Sequence, residues 1–550
     1  MTPAESDAPP ADGEELLRRL SGAKVVRTHD RVTLVAVPPH RLQATLAQLM
    51  ALPGARLADL FAVEQQAAPA ASPGASGGSP APGPEADSEV TTPVGLRVVV
   101  ALDRWNRYVV LASPVQAQEY PQLSQLAPAA FVEECELYEQ WGIRPRGGTP
   151  LNRILLPPTA AGERPLRGGS WGMGRPADLH APHVVVGEAF EFPVGPVRGV
   201  AQESLYLGLV TTGEELLDSF LLLWHKHRGI ERRLTGLTPD RALFQVERLD
   251  GLTAVGNGLA FCRAVERAAG WTVSLAASRA RQVALELERC FNHAAAVAAV
   301  CQATGLGVGQ AQAEQVLERL LRLNAAVVGH RYLFNVLAPG GVRRWPDLGR
   351  LGAELGAVLD GFRDVTRALL RTNSHLDRLE AAGIVSAEAA ARLGLVGPVA
   401  RACGRDVDAR RDHPEPGALV PAAIPLRHRG DVLSRIEVMR EEVEQSACLL
   451  QILCQAGIER DAQAATAAPL PRGASVPADE LALGWAESAR GEALAAVALD
   501  PSGRIAWARL RPAPVRNWRA FDDALRSRNV FTDVAIIEAS FWQTVAGFAR

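Results

Sequence analysis

The sequence predicts an α+β protein: a small α+β domain at the N-terminus, followed by a mainly helical domain built round a central helix bundle with peripheral β-strands. Three observations point there. Two β-branched runs, Lys24 to Val37 and Leu96 to Leu111, have the residue types of strands. Two long segments further on place an apolar residue at every third or fourth position, the period of an amphipathic helix. Between these regions, Pro157 to His183 is rich in Pro, Gly and Arg, which suggests a linker or an extended arm.

In chain order, the first strand-like run ends in Val-Thr-Leu-Val-Ala-Val at residues 32–37. Residues 66–94 are rich in Pro, Ala, Gly and Ser and cannot bury enough apolar surface to fold, so they predict a flexible insertion within the small domain. The expected division is residues 1–165 for that domain, 166–190 for the arm and 191–550 for the larger domain. From Thr212 the string Thr-Gly-Glu-Glu-Leu-Leu has a capping residue followed by acids and predicts a helix start. Further helices are expected near 257–269, 275–304, 310–336, 346–380 and 431–456. Val283, Leu287, Cys290, Ala294, Val297 and Cys301 form one stripe. Val432, Ile436, Met439, Val443, Leu450 and Leu453 form another with one turn skipped, and two such helices imply a bundle. Beside the first stripe run Gln282, Glu286, Arg289 and His293, which are either a solvated face or a buried hydrogen-bonded network.

Composition excludes several classes of function. The chain has 550 residues, 47% hydrophobic and 22% charged, enough for two or three packed domains. A net charge of -3 supplies no general attraction to nucleic acid, which is not expected as a partner. Met1 to Leu20 is acidic and Pro-rich with no apolar run behind a basic start, so a secretory signal is not expected and a cytoplasmic location is. The nearest approach to a membrane span, Ala294 to Gly309, is short and broken by glycine, so membrane association is expected only through partner subunits. The seven cysteines, at 135, 262, 290, 301, 403, 448 and 454, include no Cys-x-x-Cys pair. They predict neither a disulfide framework nor a metal site, and no cofactor bound by this chain alone.

Two short patterns mislead. Gly168-Gly169-Ser170-Trp171-Gly172 fits a nucleophile elbow formally, but neither a strand before it nor a helix after it is expected. Gly305 to Gly309 reads as a helix C-cap and turn rather than a nucleotide loop. The cluster His225 to Glu231 stands at an expected helix end, where its cations would complement the helix dipole.

Six ordered motifs resemble the hydrogenase-like large subunits of complex I and formate hydrogenlyase, over roughly residues 191–550. They are His227-Arg228-Gly229-Ile230-Glu231-Arg232, Arg248-Leu249-Asp250-Gly251, the stretch Asn257 to Glu266, and Glu286 to His293. Gly397 to Gly404 with Asp408 and Arg410, and Gly430-Asp431-Val432 with Arg435, complete the set. Upstream, Glu134 to Ile143 and Pro150 to Leu155 resemble the complex I small subunit that precedes this domain in formate-hydrogenlyase-type fusions, with Glu139 in place of its aspartate.

The departures bear on function. Nickel-iron hydrogenases hold their metals with thiolates from two Cys-x-x-Cys motifs, and other donors do not replace them equivalently. Here the first pair falls at Asp250 and Thr253 and the second near Gln543 and Ala546, which implies a nickel-free relative rather than an active hydrogenase. Complex I carries a tyrosine after the aspartate where Gly251 stands, and histidines where Arg198 and Gln202 stand. The resemblance thus implies a core subunit of a membrane-associated oxidoreductase with a pocket for a quinone or another acceptor near Asp250, Thr253, Asn257, Arg198 and Gln202. Asp250 would be a hydrogen-bonding or proton-transfer group, or else part of an internal salt bridge; no residue is assigned a catalytic role. The family core would be His227, Arg228, Glu231, Arg248, Glu286, Arg289, His293, Arg401, Asp408, Arg410, Asp431 and Arg435. Implied partners are an iron-sulfur small subunit and the membrane subunits of an ion-pump-like arm, which would hold the chain on the cytoplasmic side of the inner or plasma membrane. The alternative is a catalytically silent scaffold joining redox and membrane subunits.

Overall fold

A computed structural model describes residues 24–64, 93–147, 151, 154–155, 166, 189–199, 203–459 and 481–550. The insertion expected at 66–94, the arm from Pro157 to His183 and the Gly168–Gly172 pattern lie almost wholly outside these residues.

The chain is α+β. Strands β1 (Lys24–His29), β2 (Val32–Ala36), β3 (Ala55–Glu64), β4 (Val94–Leu102) and β5 (Arg107–Pro114) form one sheet in the order β1-β2-β5-β4-β3, with only β2 and β5 parallel. Every residue of β4 is buried, which explains why its sequence is apolar on both faces except for the buried Arg97, rather than alternating. Val98 and Val100 point toward helix α1 (Leu42–Met50), through Leu42, Leu46 and Leu49. Val99 and Ala101 point the other way, because successive side chains alternate across a strand. The short helix α2 (Phe131–Glu136) completes this part of the chain.

A second antiparallel sheet contains β6 (Phe190–Val194), β7 (Tyr206–Thr212) and β8 (Glu215–Leu222). The helix expected from Thr212 is therefore a β-hairpin turn. Gly213 adopts φ 75°, a conformation open to glycine, and it reverses the chain where a capping threonine and two acids mimic a helix start. The cluster after β8 follows a single 3-10 turn, Trp224–Lys226, so its cations do not serve a helix dipole.

The bundle comprises α3 (Ala254–Ala269), α4 (Leu275–Ala303), α5 (Gly307–Val328), α6 (Leu348–Leu369), α7 (Gly397–Ala402) and α8 (Val432–Ala456). Ser274 Oγ accepts from the Ala277 N–H at 3.2 Å and Asp431 Oδ1 from the Ser434 N–H at 2.8 Å, capping the two long helices. The helix expected over 310–336 stops at Gly329, φ 79°, and the one over 346–380 breaks after Leu369 and resumes at Asn373. All six residues of the Val283 stripe and all six of the Val432 stripe are buried, each aliphatic side chain contributing on the order of 2 kcal/mol.

The last sheet, β9 (Ala482–Ser488), β10 (Gly491–Leu499) and β11 (Ile505–Arg511), lies between the bundle and the N-terminal sheet, and helix α9 (Val534–Phe541) follows it. On one side α3 comes so close that a Cβ on Gly484 would lie 2.1 Å from the Ala260 carbonyl oxygen. On the other, Phe61 meets Trp507 and Tyr108 meets Trp485, with ring centroids 5.9 and 4.8 Å apart. Buried ion pairs cross this same boundary. Arg56 grips Glu492 at 2.7 Å, Arg509 reaches Asp59 at 3.1 Å and Glu136 at 2.8 Å, and Arg516 lies 2.9 Å from Glu133. Among the described residues no helix is long and apolar enough to cross a membrane.

Candidate functional site

Two segments far apart in sequence meet at one carboxylate. Asp250 lies in the loop before α3 and is 2% exposed. Its Oδ2 accepts from the hydroxyls of Thr253 at 3.0 Å and Thr544 at 2.6 Å, and pairs with Arg490 Nη1. Its Oδ1 accepts from the Leu252 N–H at 3.2 Å, and Asn257 Nδ2 donates to Thr253 Oγ1 at 3.1 Å. Burial alone would raise the Asp250 pKa; the Arg490 guanidinium and the Thr544 hydroxyl outweigh it and hold the carboxyl below its ordinary range. The internal salt bridge is thus the state of Asp250 in this structure.

Arg490 sits in the turn between β9 and β10. Its Nε donates to the Trp542 carbonyl, and its guanidinium lies 5.7 Å from the Trp542 ring centroid. The turn is fixed by close backbone approach: a Cβ on Gly397, which has φ 69°, would fall 2.2 Å from the Arg490 carbonyl oxygen. Two further carboxyls border the site. Glu203 accepts from the backbone N–H groups of Val545 and Ala546, and burial followed by repulsion from Asp250 raises its pKa. Glu288 accepts from the N–H groups of Val255 at 2.6 Å and Gly256 at 2.9 Å, and burial pushes it up to about 8. Asn292 ties the two segments together, donating to the Leu252 carbonyl at 2.6 Å and accepting from Trp542 Nε1 at 3.1 Å.

Of the five pocket residues expected from the sequence, Asp250, Thr253 and Asn257 form one hydrogen-bonded chain. Arg198 pairs instead with Glu538 on α9, at 2.7 Å, and Gln202 lies outside the described residues. Of the positions where the resemblance places thiolates, Asp250 and Thr253 bond each other and Gln543 adjoins Thr544, which bonds Asp250, but their side chains are not metal donors of that kind. Gln543 donates to the Phe541 carbonyl at 2.7 Å, Ala546 has no donor atom, and Asp250 is already bound by Arg490. All seven cysteines stand elsewhere, so the residues present do not fit a thiolate-held binuclear centre.

The core residues named from the sequence surround this site. His227 Nδ1 lies 2.6 Å from the Ala549 carbonyl oxygen, and Arg228 donates to the carbonyls of Arg248 and Leu249, holding the Asp250 loop. Glu231 accepts from the Leu510 N–H at 2.8 Å and from Arg550 at 2.9 Å, while Arg248 stacks on Phe244 with its guanidinium 3.5 Å from the ring centroid. Glu286, Arg289, His293, Arg401, Asp408 and Arg410 gather in one buried network, so the polar edge of α4 is not a solvated face. Gln282 joins that edge, 8% exposed and bonded to Leu419. Asp431 caps α8 and Arg435 donates to Ser540 Oγ at 2.9 Å, anchoring the end of α9.

Sequence reasoning missed Arg490, Thr544, Glu203 and Glu288. The signal for Arg490 was only a glycine after an arginine between two apolar runs, which marks a turn, and turn arginines are ordinarily solvated. Glu442 and Ser446 could have been found from helical spacing, since with Asp431 and Arg435 they recur at steps of four, seven and four on α8.

Comparison with known proteins gives two family profiles on this chain. That of the respiratory-chain NADH dehydrogenase 30 kDa subunit matches residues 35–170, and that of the 49 kDa subunit matches residues 311–549. Formate hydrogenlyase subunit 5 of Escherichia coli is 27% identical over 77% of this chain and 75% of its own length. An NADH-quinone oxidoreductase subunit of Salinispora arenicola is 32% identical over 47% of this chain and 68% of its own length. Among solved structures, a chain of the membrane-bound sulfane sulfur reductase, an archaeal respiratory membrane complex, has the same fold, with a TM-score of 0.60 at 22% identity over 67% of this chain and all of that one.

Proposed function

We propose, from the premise that this chain belongs to the family of the respiratory NADH dehydrogenase 49 kDa subunit and carries a 30 kDa-type domain fused ahead of it, that it is a nickel-free core subunit of a membrane-associated oxidoreductase complex. In this reading the place of the metal centre has become a pocket for a quinone-type acceptor, next to an iron-sulfur partner subunit, with membrane subunits beyond. The observation that carries it is the replacement of the expected thiolates by Asp250, Thr253, Gln543 and Ala546, with the Arg490 guanidinium fixed among them. The relatives support the assignment to a complex, since each of those reported above is a subunit or a chain of a larger assembly.

The residues suit hydrogen bonding and proton chemistry. Arg490 and the Thr253 and Thr544 hydroxyls are donors that a quinone carbonyl accepts from, and Asp250 orients all three. Glu203, whose pKa is raised beside them, is placed to carry a proton. A specific observation favours the scaffold alternative: Asp250 already receives three side-chain donors, so an acceptor must displace one of them. Titration of a quinone analogue into the complex purified with its iron-sulfur partner separates the two. Saturable binding that Asp250→Ala weakens at least tenfold is expected; no binding by an assembled wild-type complex leaves the scaffold, and stoichiometric nickel would refute both.

A further inference from the structure

Beside the Asp250 site lies a closed cluster of charge that the proposed function does not use. Helix α4 supplies Glu286, Arg289 and His293. The segment from α7 supplies Arg401, Asp408 and Arg410, while α8 and β9 add Glu442 and Glu487. The most exposed of the eight is Arg410, at 9%. Arg401 lies 3.2 Å from Asp408, 2.7 Å from Glu442 and 3.0 Å from Glu487. Arg410 pairs with Asp408 at 2.7 Å and reaches Glu286 at 3.5 Å; Arg289 is 3.2 Å from Glu286 and 3.6 Å from Glu442. His293 Nε2 is 2.9 Å from Glu442, and Ser446 donates to Glu286 at 2.6 Å. The neighbouring Cys290 thiol is pushed up to about 12 by burial and by Glu286, so it adds no charge.

The charges do not cancel. Four carboxyls (Glu286, Asp408, Glu442, Glu487) face three guanidiniums (Arg289, Arg401, Arg410) among the described residues, and an arginine does not give up its proton in a protein. Fully ionised, with His293 neutral, the cluster would bury one uncompensated negative charge, which is strongly disfavoured away from water. Three of its atoms, Glu286 Oε1, His293 Nδ1 and Arg401 Nη2, are also buried and make no hydrogen bond among the described residues, although Arg401 Nη2 keeps its ion-pair contact with Glu442.

We propose that this cluster is a proton-binding site that holds one exchangeable proton, seated on the Glu487 carboxyl with the His293 imidazole as its alternative seat. The proton comes from solvent and returns to it; no electron moves and no bond between heavy atoms changes. Geometry chooses Glu487: its carboxyl meets one guanidinium, Arg401, whereas Asp408, Glu442 and Glu286 each meet two. Burial and then repulsion from Asp408 raise Glu487 to about 7, in spite of Arg401. Arg401 and His293 hold Glu442 ionised well below the ordinary carboxyl range, and burial pushes the His293 imidazole toward its neutral form. The cluster also adjoins Asp250 by a single turn of backbone, since Arg289 donates to the carbonyls of Glu487 at 2.7 Å and Ser488 at 3.1 Å, just before Arg490, which pairs with Asp250.

Infrared difference spectroscopy of the full-length chain across the neutral pH range tests this. The wild-type protein is expected to show the carbonyl stretch of a protonated carboxyl that fades as pH rises and shifts in heavy water. Glu247, Glu288 and Asp522 also carry raised carboxyls, so the assignment rests on variants: one component of the band is lost in Glu487→Gln, moves in Glu487→Asp and persists in Glu288→Gln. Absence of such a band from the folded wild-type chain at every pH, or survival of all its components in Glu487→Gln, overturns the proposal. Where Glu487→Gln fails to fold, Glu487→Asp decides: a band whose components all stay in place in the folded Glu487→Asp chain overturns the proposal.

Discussion

Replacing Arg490 by methionine removes a guanidinium while leaving Asp250 buried with only neutral donors, and a buried carboxylate stripped of its partner is costly. A loss of about 3–5 kcal/mol is expected from denaturant unfolding. The same change should raise the Asp250 pKa, because the guanidinium is what overcomes burial there. Glu288 gives the opposite pH dependence. Its folded pKa, about 8, lies above that of an unfolded glutamate, so its stabilising effect is complete below the ordinary carboxyl range and is lost as pH rises toward 8. Raising the pH from about 5 to about 9 should therefore cost the wild type on the order of a few kcal/mol, and Glu288→Gln should flatten that limb. Equal slopes in both proteins would show that Glu288 is ionised throughout.

The close approach of β9 to α3 depends on a missing side chain. Gly484→Ala would press a methyl group into the backbone of Ala260 and Ala264, and a loss of at least about 1–3 kcal/mol with a lower Tm is expected. At this scale the sequence was legible wherever a period alone decides. The Val283 and Val432 stripes identify their helices because burial at every third or fourth position leaves no other regular structure. It was illegible where two local patterns share one composition. Thr212-Gly213-Glu214 fits a capped helix and a tight turn equally well, and only pairing of β8 with β7 settles it. Likewise Glu286, Arg289 and His293 have the spacing of any helix face, and whether such a face meets water depends on α8 and β9, far away in sequence. The candidate site was half legible: Asp250, Thr253 and Asn257 lie within eight residues, whereas Arg490 and Thr544 reach them only through tertiary folding.

Across the whole molecule, the N-terminal module is held to the rest by charge as well as by aromatic packing. Asp59, Glu133 and Glu136 come from that module and meet Arg509 and Arg516 at buried contacts. Arg509→Met should leave Asp59 without its main partner while Glu136 keeps Arg550, cost about 3–5 kcal/mol and make the junction more sensitive to limited proteolysis. Unchanged protease sensitivity would mean that the sheet-on-sheet contact and the remaining Arg56–Glu492 and Arg516–Glu133 pairs hold the modules together without Arg509. The β9–β10 hairpin gives this junction a further consequence. Within six residues it presents Glu487 to Arg401, Arg490 to Asp250 and Glu492 to Arg56. These three grips sit on one short lever, so a tilt of the fused module would pull on the central carboxyl and on Asp250 in the same stroke, and neither can be retuned by evolution without the other feeling it.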